Sequence, residues 1–388
     1  MAEFVVAGGG ICGLATALSV ARRGHTVQVW ERDDRFAELG AGIQIAPNGF
    51  HALDRLGVGG QVRSGAVHIE ALRLVDAGSA RPLATLPLGE RYRLRFGNPY
   101  AVVHRGDLYA PLLRACQEHE AITLRASTAV NRYEHTPAGV RVLPVTGAPV
   151  LADALIGADG LRSAVRAQLV GDGAPRVSGH TIHRAVVPMD LVPRSLRWNS
   201  VTLWAGPRWH FVHYPIAGGS KLNLAVTQDN GSRQALSGVP AERERVLADF
   251  SAMHGTARRL LELGQDWRSW VLCDRPPTPK WTDGPVVLAG DAAHPMLQYA
   301  AQGACMALED ADVLGDLLDR CVPDQIAERF ARFNAQRTER TARAQDTSRW
   351  MGENLYHPAG TAARARDQML ARLSPGDLMD AVSWLHRR

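Results

Sequence analysis

The chain has almost no lysine. Lys221 and Lys280 are the only two among 44 basic residues, and the rest are arginines scattered without runs. Set against 39 acidic residues this leaves a formal charge of +5. A mildly basic balance raises the question of a nucleic-acid partner, but dispersed arginines lack the clustered footprint that such binding needs. Cysteine is also scarce: Cys12, Cys116, Cys273, Cys305 and Cys321 are five, far apart, with no CxxC pair. That excludes the usual zinc and disulfide frameworks and points to reduced thiols, hence to the cytoplasm. No basic, then apolar, leader is read at the start, and no apolar stretch reaches the ~20 residues of a membrane helix. What is present is ordinary: 388 residues, 46% hydrophobic and 21% charged, enough for one large domain or two closely joined ones.

The first forty residues carry the clearest signal. The apolar run Phe4-Val5-Val6-Ala7 leads into Gly8-Gly9-Gly10-Ile11-Cys12-Gly13, a G-x-G-x-x-G. A segment of helical spacing follows and stops near Gly24; then Thr26-Val27-Gln28-Val29-Trp30 reads as a second strand ending at Glu31. Strand, glycine turn, helix, strand and acidic residue together make a dinucleotide fingerprint, whereas the glycines alone would be weak. Gly8 allows the tight turn, Gly10 lets the backbone approach a pyrophosphate, and Gly13 lets helix and strand pack closely. The N–H groups at the helix start suit the phosphates, and Glu31 suits ribose hydroxyls while disfavouring a 2′-phosphate. The fingerprint does not separate FAD from NAD.

Two later motifs do. Ala154-Leu155-Ile156 runs into Gly157-Ala158-Asp159-Gly160, and Val286-Val287-Leu288-Ala289 runs into Gly290-Asp291. A glycine-containing helix start, Gln302-Gly303-Ala304, follows. A carboxylate at the carboxyl end of a buried strand sits where ligands of open α/β sheets lie. With Gly8 to Gly13, Asp159-Gly160, Gly290-Asp291 and Arg105 in His104-Arg105-Gly106-Asp107 in this order, the chain resembles the single-component FAD-dependent aromatic hydroxylases. The resemblance implies an α/β fold of the p-hydroxybenzoate hydroxylase kind: a Rossmann-like FAD-binding domain interleaved with an antiparallel-sheet substrate domain, and a helical C-terminus. It implies FAD contacts from Gly8, Gly10, Ile11, Cys12, Gly13, Glu31, Arg32, Ala41, Gly42, Arg105, Val130, Asp159, Asp291, Gln302, Gly303 and Ala304. The expected layout is an FAD-binding part over 1–175 with substrate-side segments inserted around 65–105, a substrate sheet over 176–275, and a return to the FAD domain with terminal helices over 276–388. A chain of this length has no room for the thioredoxin-like extension of the phenol hydroxylase branch.

Between the second and third motifs lie short alternating segments, Thr181 to Val187, Ser200 to Trp204, Trp209 to Tyr214 and Lys221 to Thr227, separated by glycine-rich turns. They read as antiparallel strands covering the cofactor. In His210-Phe211-Val212-His213-Tyr214, strand alternation puts His210, Val212 and Tyr214 on one face and Phe211 and His213 on the other. His210 and His213 therefore cannot share a metal, and no metal site is read. Segments 40–49 and 296–304 look like the salicylate and 3-hydroxybenzoate 6-hydroxylase branch. That resemblance implies His210, Tyr214 and Gln298 in the catalytic pocket, with His213 and His294 structural.

The expected reaction consumes NADH and dioxygen and hydroxylates a hydroxybenzoate through a flavin C4a-hydroperoxide, with 3-hydroxybenzoate giving 2,5-dihydroxybenzoate. His210 is the expected base for the phenol, Tyr214 its relay or orienting group, and Gln298 a placement group. Alternatives are a decarboxylating salicylate 1-monooxygenase, a hydroxypyridine-carboxylate monooxygenase, and a non-catalytic flavoprotein that binds an aromatic ligand. No second G-x-G-x-x-G is present, so the nicotinamide is expected to visit the FAD domain transiently. A homodimer is expected, with neither nucleic acid nor membrane as partner.

Overall fold

The computed structural model describes residues 1–37 and 42–387. Among these residues the buried apolar runs form a six-stranded sheet. Its order is Thr282–Asp283, Val286–Leu288, Ala154–Gly157, Glu3–Ala7, Thr26–Trp30 and Ile122–Arg125. All neighbours are parallel except the short edge pair Thr282–Asp283 with Val286–Leu288. Parallel strands need cover on both faces, which is why they read as unbroken hydrophobic runs. The helix Ile11–Ala21 lies in that cover and crosses Gly303–Leu318 so tightly that a Cβ on Gly315 would stand 2.0 Å from Ser19 Oγ. Its C-cap is Arg22, a little earlier than the expected stop, and Gly24 follows in the left-handed region at φ +84°.

This topology has one consequence for the site. The strands Glu3–Ala7, Ala154–Gly157 and Val286–Leu288 are neighbours pointing the same way. Their carboxyl ends therefore deliver Gly8, Asp159 and Gly290-Asp291 to a single edge of the sheet.

The second large sheet has eight strands in the order Val239–Pro240, Arg268–Asp274, Arg176–Pro188, Lys221–Asp229, Trp209–Ile216, Ser200–Gly206, Ala71–Asp76 and Pro82–Pro87. The strands anticipated from alternation are present, but the sheet is not wholly antiparallel: Ser200–Gly206 pairs in parallel with Ala71–Asp76. The reason is topological. Ala71–Asp76 and Pro82–Pro87 enter from the first third of the chain as a separate hairpin, so no tight turn ties them to Ser200–Gly206. One face carries Trp204, Phe211, Leu224 and Val226 and is covered by Phe250 and Leu260 from the helices Arg243–Asp249 and Gly255–Leu261 and the segment between them. The other face looks toward the loop after Gly290-Asp291, as the hydrogen bonds of Gln298 with Arg184 and Thr227 show.

The long helix Ile326–Trp350 closes the molecule with a buried stripe that includes Phe330, Phe333, Arg337, Thr341, Ala344 and Ser348, spaced by threes and fours. Gln345 Nε2 donates to the Arg275 and Pro295 carbonyls, each at 3.0 Å, and Ser348 Oγ donates to the Leu297 carbonyl. The helix thereby pins the loop after Gly290-Asp291. No helix among the described residues is long and apolar enough to cross a membrane.

Candidate active site

Backbone proximity comes first. Gly8 has φ +101°, and a Cβ there would lie 2.4 Å from the Ala158 carbonyl oxygen; one on Gly13 would lie 1.8 Å from the Gly8 carbonyl oxygen. A Cβ on Gly290 would stand 2.6 Å from Cys12 Sγ. Three motifs far apart in sequence thus touch one another through atoms only glycine leaves room for. Gly10 is the extended N-cap of Ile11–Ala21 and offers no side chain, so the first N–H groups of that helix keep no capping partner.

Carboxylates surround this cradle. Glu31 Oε2 accepts from Gly9 N at 2.7 Å and Oε1 from Asp33 N at 2.9 Å, which fixes the acid beside the glycine turn. Arg32 is exposed next to it, 3.7 Å from Asp33. Val130 opens the strand Val130–Thr136, two residues beyond Thr128, whose N–H donates to the Glu31 carbonyl at 2.7 Å. Asp159 Oδ2 accepts from Ala164 N at 2.7 Å, while Oδ1 is buried with no partner; burial pushes its carboxyl up. Asp291 is exposed on the turn Gly290–Ala292. Ala41, one of the expected FAD contacts, lies outside the described residues.

The loop after Asp291 rests on buried ion pairs. His294 Nε2 and Asp310 Oδ2 are 2.6 Å apart, Gly290 N donates to the same oxygen at 2.9 Å, and Arg337 holds Oδ1 at 2.7 Å. His294 is thus a strut for the loop. Gln302 turns its side chain to Asn48 Nδ2 at 2.9 Å, which leaves its main chain at the start of Gly303–Leu318. Gly303 and Ala304 are the first two residues of that helix. Arg105 begins Arg105–Gln117 and is close enough to weaken the charging of Arg184.

FAD fits this edge on two observations. The helix Ile11–Ala21 starts at Gly10 with no side-chain cap, so its first N–H groups are left for an anionic group such as the pyrophosphate. The buried Asp159 Oδ1 asks for a donor that the described residues do not supply.

Across from the cradle, the sheet places its polar residues in register. His210 pairs with Thr227, Val212 with Ala225, and Tyr214 with Asn223; beyond them Arg184 pairs with Ala225. Val212 and Ala225 form an apolar floor between two polar ends. His210 and Tyr214 share a face as expected, four residues and hence ~13 Å apart along the strand. Tyr214 lies against Gly42, where a Cβ would come 2.4 Å from its ring, and Gly42 N donates to Asn223 Oδ1 at 3.0 Å. Burial lifts the Tyr214 hydroxyl to about 12, opposed by Arg184. Gln298 reaches the same face: Oε1 accepts from Arg184 Nη2 at 2.6 Å and Nε2 donates to Thr227 Oγ1 at 3.3 Å. His213 sits on the opposite face, beside Trp198 and Trp204, and burial pushes its imidazole down to about 3.

Two groups escaped the sequence reading. Arg184 is half-buried, with no carboxylate partner among the described residues; its signal was an arginine inside an otherwise apolar alternating strand. His357 is buried, with Nε2 2.7 Å from His210 Nδ1, and no local pattern marks it.

Comparison with known proteins gives the family and the fold. A family described as "FAD binding domain" matches residues 1–350. The chain is 43% identical to 3-hydroxybenzoate 6-hydroxylase 1 of Aquipseudomonas alcaligenes, covering 99% of this chain and 97% of that one. It is 42% identical to 3-hydroxybenzoate 6-hydroxylase of Polaromonas naphthalenivorans, covering 98% and 95%. The crystal structure of Klebsiella pneumoniae HpxO complexed with FAD and uric acid superposes with a TM-score of 0.87 at 22% identity, covering 100% and 97%, a likeness of fold.

Proposed function

The chain belongs to the FAD-dependent aromatic hydroxylases, and on that premise we propose that it converts 3-hydroxybenzoate to 2,5-dihydroxybenzoate. The observation that carries the reading is the 43% identity over 99% of the chain to a 3-hydroxybenzoate 6-hydroxylase. NADH and dioxygen are the co-substrates: two electrons from NADH reduce one oxygen atom to water while the other enters the ring. When bound, FAD supplies the hydride acceptance and the oxygen activation.

Glu31, the N–H groups at the starts of Ile11–Ala21 and Gly303–Leu318, Asp159 and Asp291 would hold the cofactor. The remaining work is done on the aromatic acid. Val212 and Ala225 offer its ring a flat apolar floor, and Arg184 offers its carboxylate a cation that no carboxylate among the described residues pairs. Gln298, tied to Arg184 and Thr227, keeps that guanidinium aimed. Gln298 keeps its expected part in placing the ring and its carboxylate, with Arg184 as the charged partner, because an ion pair outweighs an amide contact.

His210 is the base. Its Nδ1 faces His357, and Nε2 makes no hydrogen bond to the described residues. Burial, then the neighbouring His357 and His180, hold its imidazole well below the usual histidine range, so it is neutral at physiological pH, with a ring lone pair for the phenolic proton. Removing the phenolic proton makes the carbon para to that oxygen electron-rich, and that carbon is position 6. Tyr214 closes the other end of the floor and orients the ring. The reading includes a cytoplasmic homodimer; light scattering of the purified chain tests the assembly.

Product analysis decides. Substrate-stimulated NADH oxidation with 3-hydroxybenzoate should give 2,5-dihydroxybenzoate by mass and retention time. Catechol from salicylate as the favoured reaction would replace the reading with a decarboxylating one. NADPH used as well as NADH would overturn the choice of reductant.

A further inference from the structure

His357 follows a six-residue π-helical turn, Met351–Tyr356, at the end of the long helix Ile326–Trp350. Such turns are rare and are concentrated at functional sites. This one is pressed against the loop that carries Gln298: a Cβ on Gly352 would stand 2.5 Å from the Tyr299 ring, and Tyr356 Oη donates to the Tyr299 carbonyl at 3.0 Å. The main chain of His357 is held on both sides, its N–H by the Gly352 carbonyl at 3.1 Å and its carbonyl by Arg208 N at 2.9 Å. The imidazole is thereby set with Nε2 2.7 Å from His210 Nδ1, while its own Nδ1 is buried without a partner among the described residues. The ring of His180 stands edge-on, 5.0 Å from that of His357, and is half-buried.

We propose that His357 is the relay residue that carries the phenolic proton of the substrate away from His210 toward His180 and solvent. The proposal rests on the reading that a hydroxybenzoate occupies the site.

Tautomer logic gives it content. Two neutral imidazoles joined by one hydrogen bond have one proton between them. If His357 Nε2 donates, His210 Nδ1 accepts and the proton of His210 is on Nε2, which makes it useless as a base. If His210 Nδ1 donates, Nε2 is a free lone pair and His357 carries its proton on Nδ1. Only the second arrangement accepts a phenolic proton, and it does so without storing charge. The phenol O–H breaks as His210 gains an Nε2–H; its Nδ1–H breaks as His357 gains an Nε2–H; His357 releases its Nδ1 proton toward His180. One proton leaves the substrate, one leaves the far side, and both imidazoles end neutral in the opposite tautomers.

The surroundings favour passage over retention. Burial and then His180 push the His357 imidazole down to about 3, opposed by Asp229. Around His180 the charges alternate: Asp229 and Glu353 raise its basicity, Arg349 and Arg208 lower it, and burial lowers it most. Tyr299 and Tyr356 pack against His210 at ring distances of 5.5 and 5.3 Å and exclude solvent from it. A lone His210 would have to keep the proton in this apolar nook, at a high desolvation cost.

The test follows proton release directly. FAD-loaded, oxidised enzyme is mixed with 3-hydroxybenzoate in weakly buffered phenol red, with flavin absorbance reporting binding in the same trace. The wild type should release a proton as it binds. His357→Gln, which keeps a hydrogen bond to His210 but cannot pass a proton, should bind with the same flavin change and release the proton at least tenfold more slowly. His357→Ala should be slowed likewise and recover in added imidazole, which a merely structural role would not produce. Wild-type release from both variants, with binding intact, overturns the relay alone. Binding without any proton release by the wild type also overturns it. No flavin change with 3-hydroxybenzoate overturns the substrate reading, and the relay falls with it.

Discussion

Arg184 donates from Nη2 to Gln298 Oε1 at 2.6 Å, with no carboxylate beside it among the described residues. Burial and the nearby Arg105 disfavour its charge, and Tyr214 only partly compensates. A bound carboxylate removes that imbalance. Losing one charge-assisted contact costs about 1.5–3 kcal/mol, so Arg184→Met should raise KM for 3-hydroxybenzoate roughly ten- to hundred-fold. The check is the preference over uncharged 3-hydroxybenzyl alcohol; a preference kept by the variant would take Arg184 out of substrate recognition.

His210→Ala and Tyr214→Phe should both bind FAD, because neither side chain belongs to the glycine cradle. Hydroxylation should fall by about 10²–10⁴ in His210→Ala, the usual contribution of a positioned base. NADH oxidation should continue in part and deliver hydrogen peroxide. Oxygen uptake with and without catalase measures the leak; fully coupled turnover in either variant removes that residue from the mechanism.

Gly13→Ala and Gly24→Ala separate crowding from backbone preference. The first puts a methyl 1.8 Å from a carbonyl oxygen, whereas Gly24 has φ +84° and nothing within 4 Å of its missing Cβ. Gly13→Ala should abolish FAD retention, read from the absorbance ratio of the purified protein. Gly24→Ala should keep FAD and lose only about 1–2 kcal/mol, the cost of a left-handed alanine, measured by urea unfolding.

Acid should loosen the loop that bears Asp291. Burial raises the Asp310 carboxyl, but His294, Arg337 and the Gly290 N–H outweigh it and hold it below its ordinary value. A lowered carboxyl adds stability above its unfolded pKa of about 3.9, and that stability is lost as pH falls through the folded value. Urea midpoints should thus be flat above about pH 5 and fall below pH 4. Asp310→Asn takes the carboxylate from His294 and leaves Arg337 with Glu309, and should cost about 1–3 kcal/mol at neutral pH; a midpoint unchanged by the substitution would show that the cluster is not holding the loop.

Much of this was legible because it is local. Glycine spacing, strand alternation and the order of motifs need only neighbours in sequence, and they placed His210 and Tyr214 on one face and His213 on the other. Parallel pairing of Ser200–Gly206 with Ala71–Asp76 was not legible, since alternation is the same in either direction. Arg184 could have been suspected from its strand, but one arginine in a chain so rich in them has no contrast. His357 could not have been found: its meaning comes from a helix end folding back across the sheet to meet His210, a contact between positions with no shared pattern. The Asp310 cluster escaped for the same reason.

Neighbouring strands of the first sheet lie far apart in the chain: Glu3–Ala7 is made long before Val286–Leu288, which docks beside Ala154–Gly157. During synthesis the edge that gathers the three motifs is therefore incomplete until Val286–Leu288 has been made and has docked. Flavin capture should follow that docking, and the yield of active protein in a cell should depend on chaperone occupancy and on flavin supply at that moment.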